Sequence, residues 1–360
     1  MFAGCALWSG AAWAEPAVVA TIKPVHSLVA GVMEGVGKPT LLIKGAASPH
    51  AYSLKPSEAR ALANADVVFW VGEDLETFLP KVLRARAGKA TSVEMAEAKG
   101  IRLLDFREGG AWDAHEHEED AHGHGEHKHD HDKKHHGHDH GHDHGHDHGK
   151  TAKKDHDHHG HKGHGHAKDD HGRKDHGHKG HEGHAHGEHD MHVWLDPINA
   201  KAMVTAIEQA LSKADAKNAD RYRTNAAKMR AQLGDLDAEL RQTLKPISRV
   251  PYVVFHDAYQ YFDKRYGLNA VGSITVSPET LPGAKRLHEI RAKIVETDAA
   301  CVFSEPQFEP KLVTTVIRGT DARSGVLDPL GAKLSAGPGA YGELLRNIAA
   351  SLMRCLKPAS

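Results

Sequence analysis

Between residues 108 and 190 the chain has no apolar periodicity: short His-Gly, His-Asp and Lys units repeat there without a hydrophobic face of helical or strand spacing. Such a segment cannot bury enough surface to offset the entropy of ordering it, so it is expected to be a disordered insertion. The fold must come from the flanks. Of the 33 histidines, only His26, His50, His192, His256 and His288 lie outside 115–189, which leaves 28 within it. Without the tract, about 280 residues of ordinary globular composition remain, enough for two domain-sized cores.

In the flanks, short β-branched runs alternate with helix-spaced apolar residues. AVVATI from Ala17, LLI from Leu41 and DVVFWV from Asp66 come before the tract; a helix over 199–213 and the runs PYVVF, VGSIT, CVFSE and GVLD come after it. This alternation predicts an α/β fold of parallel strands with helical crossovers, divided into two lobes. Because the pattern continues across the tract, the tract's two ends are expected close together. Between the lobes, Tyr222, Ala226, Met229, Leu233, Leu236, Leu240 and Leu244 recur at spacings of three and four residues. One amphipathic helix over 217–245 follows, about 40 Å long and stiff enough to restrict lobe motion. The alternative is a break near Gly234; a glycine costs only about 1 kcal/mol in a helix, so continuity is expected. The expected organisation is an N-terminal lobe over 15–214 containing the 108–190 insertion, a linking helix over 215–246, and a C-terminal lobe over 247–360.

The first fourteen residues are apolar and end in Ala12-Trp13-Ala14, a small-x-small pattern that precedes signal-peptidase cleavage. Export and removal of residues 1–14, with Cys5, are therefore expected, although no basic leading segment is present. No other stretch offers about 18 consecutive apolar residues, so the remainder is expected not to span a membrane. The formal charge of −2 gives no reason to expect nucleic acid as a partner. With Cys5 removed, Cys301 and Cys355 form an even pair in an oxidising compartment, and a disulfide between them is the simplest expectation.

Three histidines stand in loops at strand ends: His50 in GAASPHAYSLKPSE, His192 in MHVWLDP and His256 in VVFHDAYQYF. Ligands gather at the carboxyl ends of strands in open α/β sheets, which places His256 well. Three neutral imidazoles suit Zn²⁺ and leave one tetrahedral position for a carboxylate or water. Singly, each is more often an ordinary polar residue; the histidine tract reverses those odds. Glu305 and Asp257 are positioned either to orient imidazoles or to make salt bridges. His26, at the start of the first helix, is expected to cap it rather than bind an accessory metal, and His288, among charges, to be solvated.

ATIKPVHSLVAGV, SPHAYSLKPSEARALANADVVFWVGEDLETFL, MHVWLDP, FHDAYQYF, CVFSEPQF and LDPLG together resemble the zinc-specific solute-binding proteins of the cluster A-I metal ABC importers. The resemblance covers the chain apart from the tract, and a histidine-rich insertion just before the second ligand is itself a mark of that branch. It implies that His50, His192 and His256 are zinc ligands, with Zn²⁺ as the transported cargo held in the interlobe cleft. In some members an acidic residue precedes the first histidine, but Pro49 stands here. Others use an aspartate of the second lobe, which implies Asp328 or, in its place, a water; the alternative for Asp328 is a turn cap before Pro329. Manganese-selective relatives carry a carboxylate where His256 stands, and imidazole there shifts preference toward zinc. The implied partners are a membrane permease and, through it, a cytoplasmic ATPase, with the protein itself a periplasmic monomer.

The tract's histidines, among them His115, His117, His122, His124, His138, His140, His142, His144, His146 and His148, are expected to form a low-affinity accessory zinc antenna or sensor, emptied below about pH 6 as imidazoles protonate. Alternatives from other classes are a receptor for manganese or another divalent metal, a metal-storage or adhesive surface protein, and a zinc hydrolase. The chain lacks an HExxH helix, so an enzyme is not expected.

Overall fold

A computed structural model describes residues 15–85, 90–107, 112, 189–275 and 281–357. The leading segment 1–14 and the tract, with every accessory histidine named above, lie outside the described residues.

Two four-stranded parallel sheets carry the fold. The first contains β1 (Val18–Ala20), β2 (Thr40–Leu41), β3 (Val67–Trp70) and β4 (Thr91–Glu94), in the order β2-β1-β3-β4. The second contains β5 (Pro251–His256), β6 (Asn269–Thr275), β7 (Cys301–Ser304) and β8 (Arg323–Val326), in the order β6-β5-β7-β8. Both reverse direction of growth after their second strand, so each has its switch point between the exits of its first and third strands. Seven of these strands follow from the β-branched runs. β4, with the sequence TSVE, does not, because as a partly exposed edge it needs no apolar run.

Helices α1 (Lys23–Val32), α2 (Pro56–Asn64) and α3 (Leu79–Arg84) connect the first sheet. α2 begins at Pro56, where a missing N–H costs nothing, and Glu58 reaches back to accept from the Lys55 amide at 2.8 Å. After the tract, α4 (Pro197–Ala214) starts behind Asp196, whose carboxylate accepts from the Ile198 amide at 2.8 Å. α5 (Ala219–Leu244) runs unbroken through Gly234 and buries the predicted stripe from Tyr222 to Leu244. α6 (Gln260–Tyr266) stops at Gly267, whose φ of 66° is the left-handed cap glycine accommodates. α7 (Ala284–Glu296), α8 (Lys311–Ile317) and α9 (Ala340–Leu356) complete the second half.

One hydrophobic core extends from Val19 and Phe69 of the first sheet, through Leu233 and Leu240 of α5, to Tyr252 and Phe303 of the second. A smaller core on the far face of the second sheet holds Val253, Phe255 and Val302. Adjacent residues of β5 and β7 thus enter opposite cores, which is why those runs are continuously apolar. α1 and α9 clip the halves together: Ser27 Oγ donates to Pro338 O at 3.1 Å and accepts from the Tyr341 amide at 2.9 Å. A shared core and such clips favour a small tilt over a wide hinge. The Cys301–Cys355 disulfide joins β7 to α9. Among the described residues no helix is long and apolar enough to cross a membrane.

Candidate metal centre

His256 is the last residue of β5, and Glu305 directly follows β7, so both sit at the switch point of the second sheet. His192 opens a short 3₁₀ turn, Val193–Leu195, that leads into α4. His50 lies in the loop between β2 and α2, with its amide donating to Ser48 Oγ at 3.3 Å. These three elements bring three imidazoles together: their ligand atoms lie within 4.8 Å of one another. His192 Nε2 is 3.4 Å from His50 Nε2 and 3.3 Å from His256 Nε2.

Two carboxylates set the tautomers. His192 Nδ1 lies 2.7 Å from Asp190 Oδ1, and His256 Nδ1 lies 2.7 Å from Glu305 Oε1. Where each carboxylate accepts from its imidazole, as outer partners of metal-binding histidines do, Nδ1 carries the proton and Nε2 presents its lone pair to the centre. Two lone pairs facing at 3.3 Å repel, and a cation between them removes that repulsion. The spacing is also the edge of a tetrahedron, about 3.3–3.4 Å for zinc–nitrogen bonds of about 2.0–2.1 Å.

Burial holds the imidazole pKa of His50 and His192 well below the ordinary 6.5; charge on His192 and His256 lowers His50 further, and charge on His256 lowers His192 further, against Asp257, which raises it. They are therefore neutral, the form that binds metal. Burial pushes the Asp190 carboxyl up to about 7, against the His192 amide, Arg107 and His256, which lower it. The rings line a cavity of about 10 Å³, walled by Pro49, Trp194, Phe308, Pro329 and Leu330. That is room for about one water-sized group, apart from an ion seated in bonding contact with the rings.

Of the two carboxylates proposed to orient imidazoles, Glu305 does so. Asp257 does not: it is paired with the Arg107 guanidinium, whose Nε lies 2.9 Å from Asp257 Oδ2 and whose Nη1 lies 3.0 Å from Asp263 Oδ2. Asp190 takes the orienting role instead, and its signal was available as a carboxylate two residues before His192. It belongs to the folded body, since its amide donates to Leu104 O at 2.8 Å and Tyr261 OH donates to its carbonyl at 2.6 Å. The insertion's boundary at 190 thus moves back: Asp105 and His189 pair across its root, joined by a bridge and a 2.9 Å contact.

Asp328 is not brought into the triad. Its Oδ1 accepts from the amides of Leu330 and Gly331 at 3.1 and 2.9 Å, and its Oδ2 from the Ala332 amide at 2.6 Å. This is the turn-capping alternative, and it follows from the LDPLG turn needing an acceptor for three consecutive amides. His26 does not cap α1, whose N-cap is Ile22; buried as the fourth residue of that helix, it contacts Pro39 O through Nε2 at 3.0 Å. His288 is exposed on α7. Trp194 has no counterpart among the sequence expectations: its ring lies 5.2 Å from His192, and its Nε1 donates to Pro329 O at 2.9 Å, linking the His192 turn to the second half.

Replacing either orienting carboxylate, as Asp190→Asn or Glu305→Gln, is expected to weaken metal binding about 10–100-fold without removing a ligand. Competition with a chromophoric chelator measures this; unchanged affinity in both variants contradicts the tautomer assignment.

Two parallel α/β sheets with an imidazole triad at their seam define a two-lobed solute-binding protein of the kind that holds a metal ion. The chain belongs to the family described as ZnuA, zinc-uptake complex component A, periplasmic, whose model matches residues 18–355. The high-affinity zinc uptake system protein ZnuA of Brucella abortus (strain 2308) is 49% identical over 339 residues, covering 94% of this chain and 91% of the relative. The protein of the same name from Haemophilus influenzae is 37% identical over 351 residues, covering 98% and 96%. In fold, the chain is similar to the periplasmic zinc binding protein TroA from Treponema pallidum, with a TM-score of 0.68 at 20% identity, covering 96% of this chain and 100% of that one.

Proposed function

We propose that this chain is a periplasmic receptor that captures Zn²⁺ with His50, His192 and His256 and delivers it to a membrane importer. The observation that carries the reading is the lone-pair geometry: Nε2 atoms from separate elements meet at 3.3–3.4 Å, with two of the rings fixed by buried carboxylates. Zinc is cargo. His50 and His192 come from the first half and His256 from the second, so binding bridges the lobes and stabilises the closed arrangement. A membrane permease and its cytoplasmic ATPase are the proposed partners of the loaded form, with the receptor acting as a monomer. A cavity of about 10 Å³ has no space for an organic substrate, which supports a binding protein rather than a hydrolase. The histidine tract acts as an accessory zinc antenna or sensor.

The test removes residues 113–188, sparing Trp112, which stacks on Arg107, and His189 and Asp190. Titration of this variant is expected to show one tight zinc. Loss of all tight binding means that the tract is the site and that a storage protein is the better reading. Tight manganese with weak zinc points to the other metal.

Acid is expected to separate the two histidine populations. Tract imidazoles are expected to release zinc below about pH 6 as they protonate. The His50 and His192 imidazoles are held well below 6.5, so protons compete with zinc there only at lower pH. The same depression destabilises the metal-free fold in acid: below the unfolded value near 6.5 the unfolded chain binds protons that the folded chain does not, so stability falls with pH. Zinc stoichiometry measured at stepwise lower pH is expected to drop to one before reaching zero. Simultaneous loss of all zinc near pH 6 contradicts the assignment.

A further inference from the structure

Two buried acceptors on the wall of the metal cavity have no donor. Gln307 lines the same cavity as the three imidazoles. Its Nε2 donates to Asp328 Oδ1 at 3.1 Å, and because a carboxylate only accepts, this bond fixes which end of the amide is which. Gln307 Oε1 is left buried and unpartnered. Glu305, two residues earlier, gives Oε1 to His256 and keeps Oε2 buried and unpartnered as well. A buried acceptor left without a donor is destabilising, so two on one small cavity call for a group that donates twice. The Nδ1 protons of His192 and His256 are already given to carboxylates. Three imidazoles on zinc leave one tetrahedral position, and a water there offers two O–H donors, strengthened by the metal that takes its lone pair.

We propose that Gln307 governs the fourth coordination position: its Oε1 accepts from a zinc-bound water, Glu305 Oε2 is the second acceptor, and Asp328 holds the Gln307 amide in orientation. The proposal rests on the reading of the histidine triad as the zinc site. It gives Asp328 a role through Gln307 rather than at the metal, consistent with the three backbone amides that already occupy its oxygens. Gln307 is a positioning residue, and a neutral oxygen at the fourth position, rather than a carboxylate, is what it selects.

The full chain loaded with one equivalent of zinc tests this by X-ray absorption and chelator competition. The unmodified protein is expected to show three nitrogens and one oxygen at about 2.0–2.2 Å. Gln307→Leu is expected to lose about 10–100-fold in affinity, as removal of an outer partner does, with an altered oxygen shell. Asp328→Ala is expected to match it, and the double variant to be no worse than either, because the two act as one unit. Asp328→Asn keeps an oxygen for the Gln307 amide and is expected to retain the oxygen shell. Thermal midpoints of the zinc-free variants separate these effects from misfolding. Unchanged affinity in a folded Gln307→Leu variant overturns the proposal, as does loss of the oxygen shell in Asp328→Asn but not in Gln307→Leu. Failure of the unmodified protein to show imidazole ligation is a different outcome: it sinks the triad reading itself.

Discussion

Replacement of His192 by alanine is expected to abolish tight zinc binding, with a loss well beyond the roughly 10–100-fold that an outer partner costs. His192 is the common member of both short contacts in the triad, 3.4 Å from His50 and 3.3 Å from His256. Without it two imidazoles remain on opposite halves of the molecule, and two ligands do not make a closed zinc site. The variant also leaves Asp190, whose carboxyl burial pushes up to about 7, without the ring it orients. The measurement is chelator competition on the variant lacking 113–188, where tract histidines do not mask the loss. Near-wild-type affinity in His192→Ala, with the same in His50→Ala and His256→Ala, sinks the site.

Removal of the Cys301–Cys355 disulfide is expected to be the largest change in stability that leaves zinc binding intact. The two cysteines are 54 residues apart in sequence. For a loop of that length the chain-entropy relation gives about 4 kcal/mol at 25 °C, within the roughly 2–5 kcal/mol seen when native disulfides are removed. At about 2–4 °C per kcal/mol, a thermal midpoint about 10 °C lower is expected for Cys301→Ala with Cys355→Ala. Cys301 opens β7, while Glu305 stands past its other end, so the triad is spared. Thermal unfolding with and without a reducing agent checks the first part and zinc titration the second. A midpoint unchanged by reduction means that the bond does not constrain the unfolded chain.

The legible parts of the chain were those where one local physical rule acts alone. The stripe from Tyr222 to Leu244 specifies a helix because one face must be apolar, and α5 buries that face. PYVVF and CVFSE specify buried strands because both sides meet a core. β4 was not legible, since an edge strand with the sequence TSVE is held by hydrogen bonds to β3 rather than by hydrophobicity. The carboxylates show the same limit more sharply. Asp190, Asp257, Glu305 and Asp328 are chemically alike, and only Asp190 and Asp257 stand near a candidate ligand in sequence. One orients His192, one pairs with Arg107, one orients His256 and one caps a turn. Adjacency along the chain does not distinguish these roles, because successive strand residues face opposite sides and loop residues turn on backbone geometry.

The histidines divide along the same line. Residue type, placement in loops, the neighbouring histidine tract and the family motifs singled out His50, His192 and His256 from 33, and the fold brings these three together. What those three can do together depends on Nε2 separations of 3.3–3.4 Å across segments 142 and 64 residues apart, on which nitrogen each carboxylate protonates, and on what faces the fourth position. Those are distances between surfaces set by packing, and no pattern along the chain encodes them. The tertiary structure therefore moved Asp328 from the metal to the turn and brought Asp190 and Gln307 to the site.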